Sequence, residues 1–242
     1  MMHFKTTAIA LALALAAAGA PAMAQQAPAK PPADAMTDPS FKREAVLAFI
    51  GVKPGDRVAD IVAGRFTRAL SVAVGPKGKV YAVEPAEVVK AHPEVMQMMN
   101  GAAAAAEGHN IEVLSAPVNA LGLPSGLDAV FIRQNYHDLH DRFMGPADVP
   151  AFNRAVYAAL KPGGVFVVLD HAAAKGSGLA ATDTLHRIDA DAAAAEVLAA
   201  GFKLDGQSDV FANPADPHDK NVFDPSIRGH TDQFMFRFRK PK

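Results

Sequence analysis

Hydrophobic and polar positions alternate along the chain in two recurring kinds of segment. Short apolar runs, rich in β-branched residues and bounded by Gly, Pro, Asn or Asp, occur at residues 57–63, 79–85, 110–116, 127–134 and 164–170. Such runs are typical of strands buried on both faces, as in a parallel sheet. Apolar positions with helical spacing occur at residues 41–49, 67–74, 86 to about 106, 150–160 and 190–200. Strand and helix therefore alternate, which predicts an α/β fold with a doubly wound sheet and helices on both faces.

The C-terminal part of the chain has a different pattern. Residues 202–211 and 233–240 are both strand-like and have no helix between them, and Phe234, Phe236 and Phe238 alternate with other residues in the second run. This predicts an antiparallel pair that closes one edge of the sheet, with the Phe side chains facing the core. The connecting segment 212–232 is long and rich in Pro and Asp. It is expected to be either a lid over a substrate or a solvated connection.

The N-terminal residues have the pattern of a secretory signal peptide. Lys5 is followed by an apolar stretch over residues 8–18 and by Ala22-Met23-Ala24, which predicts a signal peptide over 1–24 and a periplasmic or secreted protein. The apolar stretch is too short for a comfortable membrane span, although an uncleaved anchor is the alternative. Residues 25–40 are predicted to be a flexible lead-in and 41–242 the folded domain. Translation from Met36 would instead give a cytoplasmic form.

Composition narrows the classes of partner and chemistry. The chain has 24 Lys and Arg against 25 Asp and Glu and no basic run, which argues against nucleic acid and favours a small-molecule ligand. There is no cysteine, so neither a disulfide nor a thiolate metal site can form. No Gly-x-Ser-x-Gly follows a predicted strand, which argues against a hydrolase of that type. The oligomeric state stays open.

Polar residues follow the predicted strands, at the edge where an open α/β sheet binds its ligands. They are Asp60, Gly64 and Arg65 after the first run, Glu84 at the end of the second, Asn119 after the third, Gln134, Tyr136 and His137 after the fourth, and Asp170 and His171 after the fifth. Glu84 is the most informative, because a carboxylate in that position can accept hydrogen bonds from both ribose hydroxyls of an adenosine cofactor. A solvated charge at the strand end is the alternative.

Several segments together resemble the class I S-adenosylmethionine-dependent methyltransferases. They are VADIVAGRFTRAL, GPKGKVYAVEPAE, NALGLP, LDAVFIRQNYHDL, LKPGGVFVVLDH and AAGFKL. More narrowly, NYHDL, LDHAA, TLHRID, FDPSIRG and TDQF look like a bacterial group of predicted, often exported methyltransferases. The resemblance implies a Rossmann-like, mostly parallel seven-stranded sheet with an antiparallel last strand, S-adenosylmethionine as cofactor and a small molecule as methyl acceptor.

The resemblance also implies roles for particular residues. Asp60 and Gly64 would belong to the turn around the methionine part of the cofactor, Glu84 would hold the ribose, Asn119 would lie near the adenine amine, and Gln134 would line the cofactor wall.

The sequence departs from the family at the turn after the first strand. Val62 and Phe66 stand where the family usually has glycines, and their side chains would fill space that the cofactor needs. Arg65 could compensate by binding the cofactor carboxylate. A non-catalytic envelope binding protein that keeps the fold with an altered pocket is therefore the alternative function.

Two residues after the fourth strand are the candidates for catalysis. His137, with Tyr136 beside it, is the expected base, because an unperturbed imidazole can accept a proton near neutral pH. The alternative is a histidine at a helix start, bonded to neighbouring backbone. A metal site built from His137, Asp170 and His171 is conceivable, but no compact ligand spacing supports it, so no metal is predicted.

Overall fold

The computed structural model describes residues 33–145 and 147–242. The predicted signal peptide, residues 1–24, lies outside the described residues, so export stays a prediction. Among the residues that are described, no helix is long and apolar enough to cross a membrane.

Seven strands form one sheet in the order β3-β2-β1-β4-β5-β7-β6. They are β1 Arg57–Ile61, β2 Lys79–Pro85, β3 Ile111–Ala116, β4 Leu127–Arg133, β5 Leu160–His171, β6 Lys203–Ser208 and β7 Gln233–Arg239. Strands β1 to β5 pair in parallel, whereas β7 is antiparallel to both β5 and β6. The predicted doubly wound, mostly parallel sheet with an antiparallel last strand is confirmed.

The helices flank the sheet and connect its strands. They are α1 Arg43–Ile50, α2 Thr67–Val74, α3 Ala86–Ala91, α4 Glu94–Ala104, α5 Val149–Ala159, α6 Thr182–Leu185 and α7 Ala190–Ala199. The single helix predicted over 86–106 is in fact two helices. His92, at the end of α3, has φ −136° and ψ 73°, since the residue before a proline is disfavoured in the helical region and Pro93 has no amide hydrogen to donate.

Apolar side chains cover both faces of the sheet. One core cluster contains Ile132 and Phe166, and the other contains Val58 and Phe131. In β7, Phe234 and Phe238 are buried in the first cluster as predicted, whereas Phe236 is only partly buried. Met235 is buried on the opposite face, in the second cluster. Strand β7 therefore buries side chains on both of its faces, and it lies between β5 and β6 rather than at the edge of the sheet.

Residues 33–40, which the sequence assigned to the flexible lead-in, are packed against the domain. Asp34 and Ala35 are buried. The Ala35 amide donates to the Arg65 carbonyl at 2.8 Å, and Arg68 forms an ion pair with the Asp34 carboxylate at 2.9 Å. The packed part of the chain therefore extends ahead of the boundary predicted at residue 41.

The strand order reverses between β1 and β4. From β1 the chain winds outward through β2 and β3, and from β4 it winds the other way through β5. The loops that leave β1 and β4 therefore diverge, and a crevice forms between them at the carboxyl ends of the strands.

Candidate functional site

A cavity of about 670 Å³ lies at the crevice where the strand order reverses. Its volume is within the range of about 300–1,000 Å³ that is usual for small-molecule sites. The ends of β1, β2, β4 and β5 form its floor, and α3 and α4 supply an apolar side wall that includes Val88, Ala91 and Val95. Of the predicted site residues, the cavity brings together Asp60, Gly64, Arg65, Glu84, Gln134 and His137.

Glu84 is a buried carboxylate that faces this cavity. Its side chain is almost fully buried, with 1% of the residue exposed, and Oε2 has no hydrogen-bond partner among the described residues. Burial, reinforced by the negative charge of nearby Asp60, raises the pKa of Glu84 to about 8, although the Ala63 amide opposes this. An acceptor buried without a partner costs about 1–3 kcal/mol. A ligand that donates hydroxyl hydrogens to Oε2 would recover this free energy.

Asp60 shapes the turn between β1 and α2. The Thr67 hydroxyl donates to Oδ2 of Asp60 at 2.6 Å and accepts the Gly64 amide at 2.9 Å. Burial raises the pKa of Asp60 to about 7, although the Thr67 hydroxyl, the Gly64 backbone amide and the Arg133 charge each act to lower it. Asp60 therefore fixes the turn through Thr67. The Gly64 amide is bonded to Thr67, so Gly64 affects the conformation of the turn and offers no free donor to a ligand.

Val62 and Phe66 line the cavity without closing it. Phe66 is 1% exposed and packs edge-on against Phe131, with ring centroids 5.5 Å apart. Val62 has φ +50°, in the left-handed region that glycine adopts more easily. The chain thus holds a β-branched residue in a backbone conformation that glycine adopts more easily. The cavity stays open beside both side chains. Val62 and Phe66 therefore do not fill the space that a cofactor needs, as the alternative of an altered pocket would require.

Two arginines near the cavity differ in their surroundings. Arg65, the predicted carboxylate ligand, is exposed and donates to the Ala33 carbonyl at 2.7 Å. Arg133, at the end of β4, lies over the Phe41 ring with 4.9 Å from guanidinium carbon to ring centroid, and its buried Nε has no hydrogen-bond partner in the described part of the chain. Burial lowers the pKa of Arg133 to about 10, so it remains a cation at neutral pH. Arg133 is better placed than Arg65 to bind an anionic group in the cavity.

Asn119 and Gln134, both predicted to contact the cofactor, differ in position. Asn119 is exposed, does not line the cavity, and its Oδ1 accepts the Asp148 amide at 2.7 Å at the start of α5. This placement does not support the predicted adenine contact. Gln134 does line the cavity, and its side-chain amide donates to Oε1 of Gln233 at 2.9 Å.

His137 is buried between two carboxylates. Its Nδ1 lies 2.8 Å from Oδ1 of Asp170, and its Nε2 lies 3.1 Å from Oδ1 of Asp138. Burial alone would lower the pKa of His137, but the two carboxylates outweigh it and raise the pKa to about 10. An imidazolium cannot accept a proton, so this geometry does not support the free base predicted from the sequence. The alternative from the sequence is a histidine at a helix start, bonded to neighbouring backbone. His137 does begin a 3-10 turn, but its ring is bonded to carboxylates.

Tyr136 points away from the cavity, although it is adjacent to His137. Its ring is fully buried in a core cluster, and its hydroxyl donates to Oε2 of Glu196 at 3.1 Å and accepts from Nδ2 of Asn153 at 2.8 Å. Burial, with the Glu196 charge, raises the pKa of the phenol far above its usual value. These contacts indicate a structural role for Tyr136 and do not support a catalytic one.

Other residues reach the cavity from parts of the chain far from the strand ends. His186 follows α6, and Val222 and Phe223 come from the long segment 212–232. That segment is tied down by the buried ion pair of Arg187 with Asp216, at 2.8 Å. The sequence signalled this segment by its length, but it gave no indication of which of its residues would face the site.

Comparison with known proteins gives matches of structure only. No family model and no curated protein matches the chain. A solved S-adenosylmethionine-dependent methyltransferase from Aquifex aeolicus is 21% identical, with a TM-score of 0.54 over 84% of this chain and 94% of that one. The fibrillarin of Aeropyrum pernix, solved with bound S-adenosylmethionine, is 17% identical, with a TM-score of 0.51 over 82% and 75%. This chain has the fold of S-adenosylmethionine-dependent methyltransferases.

A third match shows why the fold alone does not decide the reaction. The [4+2]-cyclase SpnF is 17% identical, with a TM-score of 0.59 over 88% of this chain and 86% of that one. A protein described as a cyclase thus shares the architecture, so the chemistry has to be argued from the cavity.

Proposed function

We propose that this protein is an S-adenosylmethionine-dependent methyltransferase that acts on a small molecule. The observation that carries the proposal is the Oε2 atom of Glu84, which is buried and has no partner among the described residues, on a residue that lines the cavity. It lies at the end of β2, next to the point where the strand order reverses. A ribose with two adjacent hydroxyls supplies the donors that this carboxylate lacks.

Other groups in the cavity fit the remaining parts of the cofactor. The Arg133 guanidinium would bind the carboxylate of the methionine part, since its Nε has no partner in the described chain. The apolar wall of Val88, Ala91 and Val95 suits a planar base. The acceptor, the cation and the apolar wall of the cavity therefore match a molecule with a diol, a carboxylate and a planar ring.

Methyl transfer needs little covalent chemistry from the protein. The bound cofactor would supply an electrophilic methyl group on sulfur, and the chain would supply the position and orientation of the acceptor. Asn135, Phe143 and Phe223 line the cavity beside His137 and offer an amide and two aromatic surfaces for this purpose. A small acceptor suits a cavity of about 670 Å³.

Export of the protein remains part of the proposal. It depends on the signal-peptide pattern over residues 1–24, and Met36 offers the alternative start. Cell fractionation with N-terminal sequencing of the mature chain tests it. A mature N-terminus at Gln25 in the periplasmic or secreted fraction supports export, and a cytoplasmic chain beginning at Met36 contradicts it.

Calorimetric titration of the protein with S-adenosylhomocysteine tests the proposed function. We expect one ligand per chain, and at pH 9, where Glu84 is ionised, we expect Glu84→Gln to weaken binding about tenfold to a hundredfold, because hydrogen bonds to a charged acceptor contribute about 1.5–3 kcal/mol. Glu112→Gln is the matched control, since Glu112 is an exposed strand residue paired with Lys79 outside the cavity. No heat and no thermal stabilisation at millimolar ligand would contradict the proposal.

A further inference from the structure

Four metal-ligating side chains converge beside the cavity. His137, Asp138 and Asp141 lie in or next to a 3-10 turn after β4, and His186 follows α6. One ligand atom from each of the four lies within 4.8 Å of all the others. Nε2 of His137 is 3.1 Å from Oδ1 of Asp138, and Nδ1 of His186 is 3.8 Å from the same oxygen and 3.6 Å from Oδ2 of Asp141.

The buried carboxylate of Asp141 is an independent indication of a ligand-binding site at this cluster. The residue is 2% exposed, and neither of its carboxylate oxygens has a hydrogen-bond partner among the described residues. A buried carboxylate without hydrogen bonds is costly and is normally compensated by a paired charge or a metal ion. The His186 ring lies beside Asp141, with Nδ1 3.6 Å from Oδ2, which is longer than a hydrogen bond.

Neighbouring residues orient two of the four groups for coordination. The Nδ1 atom of His137 is engaged by Asp170 at 2.8 Å, which leaves Nε2 directed at the cluster, where a bound metal ion would displace its proton. Histidine ligands of metals commonly donate their other ring nitrogen to a carboxylate in this way. Asn135 donates to Oδ2 of Asp138 at 2.6 Å, so that Oδ1 faces the cluster.

The geometry points to a binding site for a divalent first-row transition metal ion, held by His137, Asp138, Asp141 and His186. Ligand atoms about 2.0–2.1 Å from a tetrahedral Zn²⁺ are about 3.4 Å from one another, and the three distances of 3.1–3.8 Å lie on either side of that value. Two imidazoles favour zinc, iron or nickel over magnesium or calcium, which prefer oxygen ligands alone. The two carboxylates balance the charge of the ion.

Three of the four ligands, His137, Asp138 and His186, also line the cavity. If the proposed methyltransferase function holds, the ion would face the acceptor and take its oxygen or sulfur as a fifth ligand, an expansion that zinc sites allow. The bound hydroxyl or thiol would lose its proton to solvent more easily. The resulting anion would attack the methyl carbon, forming the new oxygen–carbon or sulfur–carbon bond while the methyl–sulfonium bond breaks and S-adenosylhomocysteine leaves. The substrate class would thus be small alcohols, phenols or thiols.

A calorimetric titration of the chelator-treated full chain with ZnCl₂ tests the site. No adenosine ligand is present in this titration. We expect one ion per chain, and a Co²⁺ sample should have the intense visible absorption of tetrahedral coordination. Asp141→Asn and His186→Gln should each weaken Zn²⁺ binding at least about a hundredfold, since each removes a direct ligand. His218→Gln is the matched control, because His218 pairs with Asp232 at 2.9 Å outside the cavity.

Two results would overturn the metal site. One is no binding of Zn²⁺ by wild type, and the other is binding that neither Asp141→Asn nor His186→Gln weakens. His186 is partly exposed, so His186→Gln should fold even if Asp141→Asn does not, and circular dichroism checks both. The titration contains no cofactor, so failure of S-adenosylhomocysteine to bind would contradict the methyltransferase function and leave the metal result standing.

Discussion

The Nδ1 atom of His137 lies 2.8 Å from Oδ1 of Asp170, and both side chains are almost completely buried. Asp170 also accepts the backbone amides of His137 and His171, at 2.8 and 2.7 Å. One carboxylate therefore fixes the end of β5 to the turn after β4. This arrangement makes Asp170 a structural support of the cavity.

Asp170→Asn should destabilise the protein by about 3–5 kcal/mol, because it removes one partner of a buried ion pair. Asp205→Asn is the matched control. Asp205 pairs with Arg237 and Arg239 at the surface, and its loss should cost about 1 kcal/mol or less. Urea unfolding measures both, and equal losses in the two variants would contradict the structural role of Asp170.

The raised pKa of Glu84, about 8, predicts opposite effects of pH on ligand binding and on stability. Ribose hydroxyls donate to the ionised carboxylate, so affinity for S-adenosylhomocysteine should increase from pH 6 to pH 8, by at most about tenfold per pH unit. The ligand-free protein should lose stability between pH 6 and pH 8. Burial favours the protonated Glu84 carboxyl, and this form is lost as the pH passes through 8.

Glu84→Gln isolates this effect from the titration of Asp60, whose pKa is about 7. The variant should bind weakly with a flatter pH profile, and without ligand it should be more stable than wild type at pH 9 by at least about 1 kcal/mol. Calorimetry and thermal unfolding across pH 6–9 measure the two effects. An unchanged pH profile of affinity in Glu84→Gln would show that another group controls binding.

The two arginines near the cavity should contribute differently to cofactor binding. Arg133→Gln should weaken S-adenosylhomocysteine binding about tenfold to a hundredfold, because the carboxylate of the ligand loses its cation. It should leave 5′-methylthioadenosine, which has no carboxylate, nearly unaffected. Arg65→Gln should change neither affinity, since Arg65 is exposed and bonded to the Ala33 carbonyl. The reverse pattern would restore the role for Arg65 that the sequence predicts.

Val62 is held at φ +50° in the turn after β1. Glycine adopts this conformation without strain, whereas alanine keeps the Cβ that conflicts with it. Val62→Gly should therefore be more stable than Val62→Ala by about 1 kcal/mol. This is the reverse of the order seen at ordinary positions. Thermal unfolding measures the difference, and a clearly more stable Val62→Ala would mean that the turn is not strained at this residue.

The segment 212–232 depends on the buried pair of Arg187 and Asp216, since it contributes Val222 and Phe223 to the cavity. Arg187→Met should cost about 3–5 kcal/mol and expose the segment to limited proteolysis, because Asp216 would be left buried without its cation. Arg142→Met is the control, as Arg142 pairs with Asp183 at an exposed surface. Unchanged proteolysis in Arg187→Met would show that the segment is held by other contacts.

The sequence predicted the sheet and one edge of the site well, because both follow from local patterns. Buried parallel strands leave continuous apolar runs, and their carboxyl ends meet at one edge. Asp60, Glu84 and His137 accordingly lie together around the cavity.

The sequence could not predict side-chain direction within a turn, nor which residues of distant segments reach the site. Tyr136 and His137 are adjacent but point to opposite sides, and Asn119 is turned towards α5. Asp141 and His186 meet only through tertiary packing, so no compact spacing marks them as partners.

The role of Glu84 as acceptor of the ribose hydroxyls is tested most directly by one comparison of dissociation constants. S-adenosylhomocysteine and its 2′-deoxy analogue are titrated into wild type and into Glu84→Gln. We predict that the missing hydroxyl weakens binding to wild type about tenfold or more and has little effect on the variant, because the two changes remove the same hydrogen bond. Equal loss in both proteins, or no binding by wild type, would contradict it.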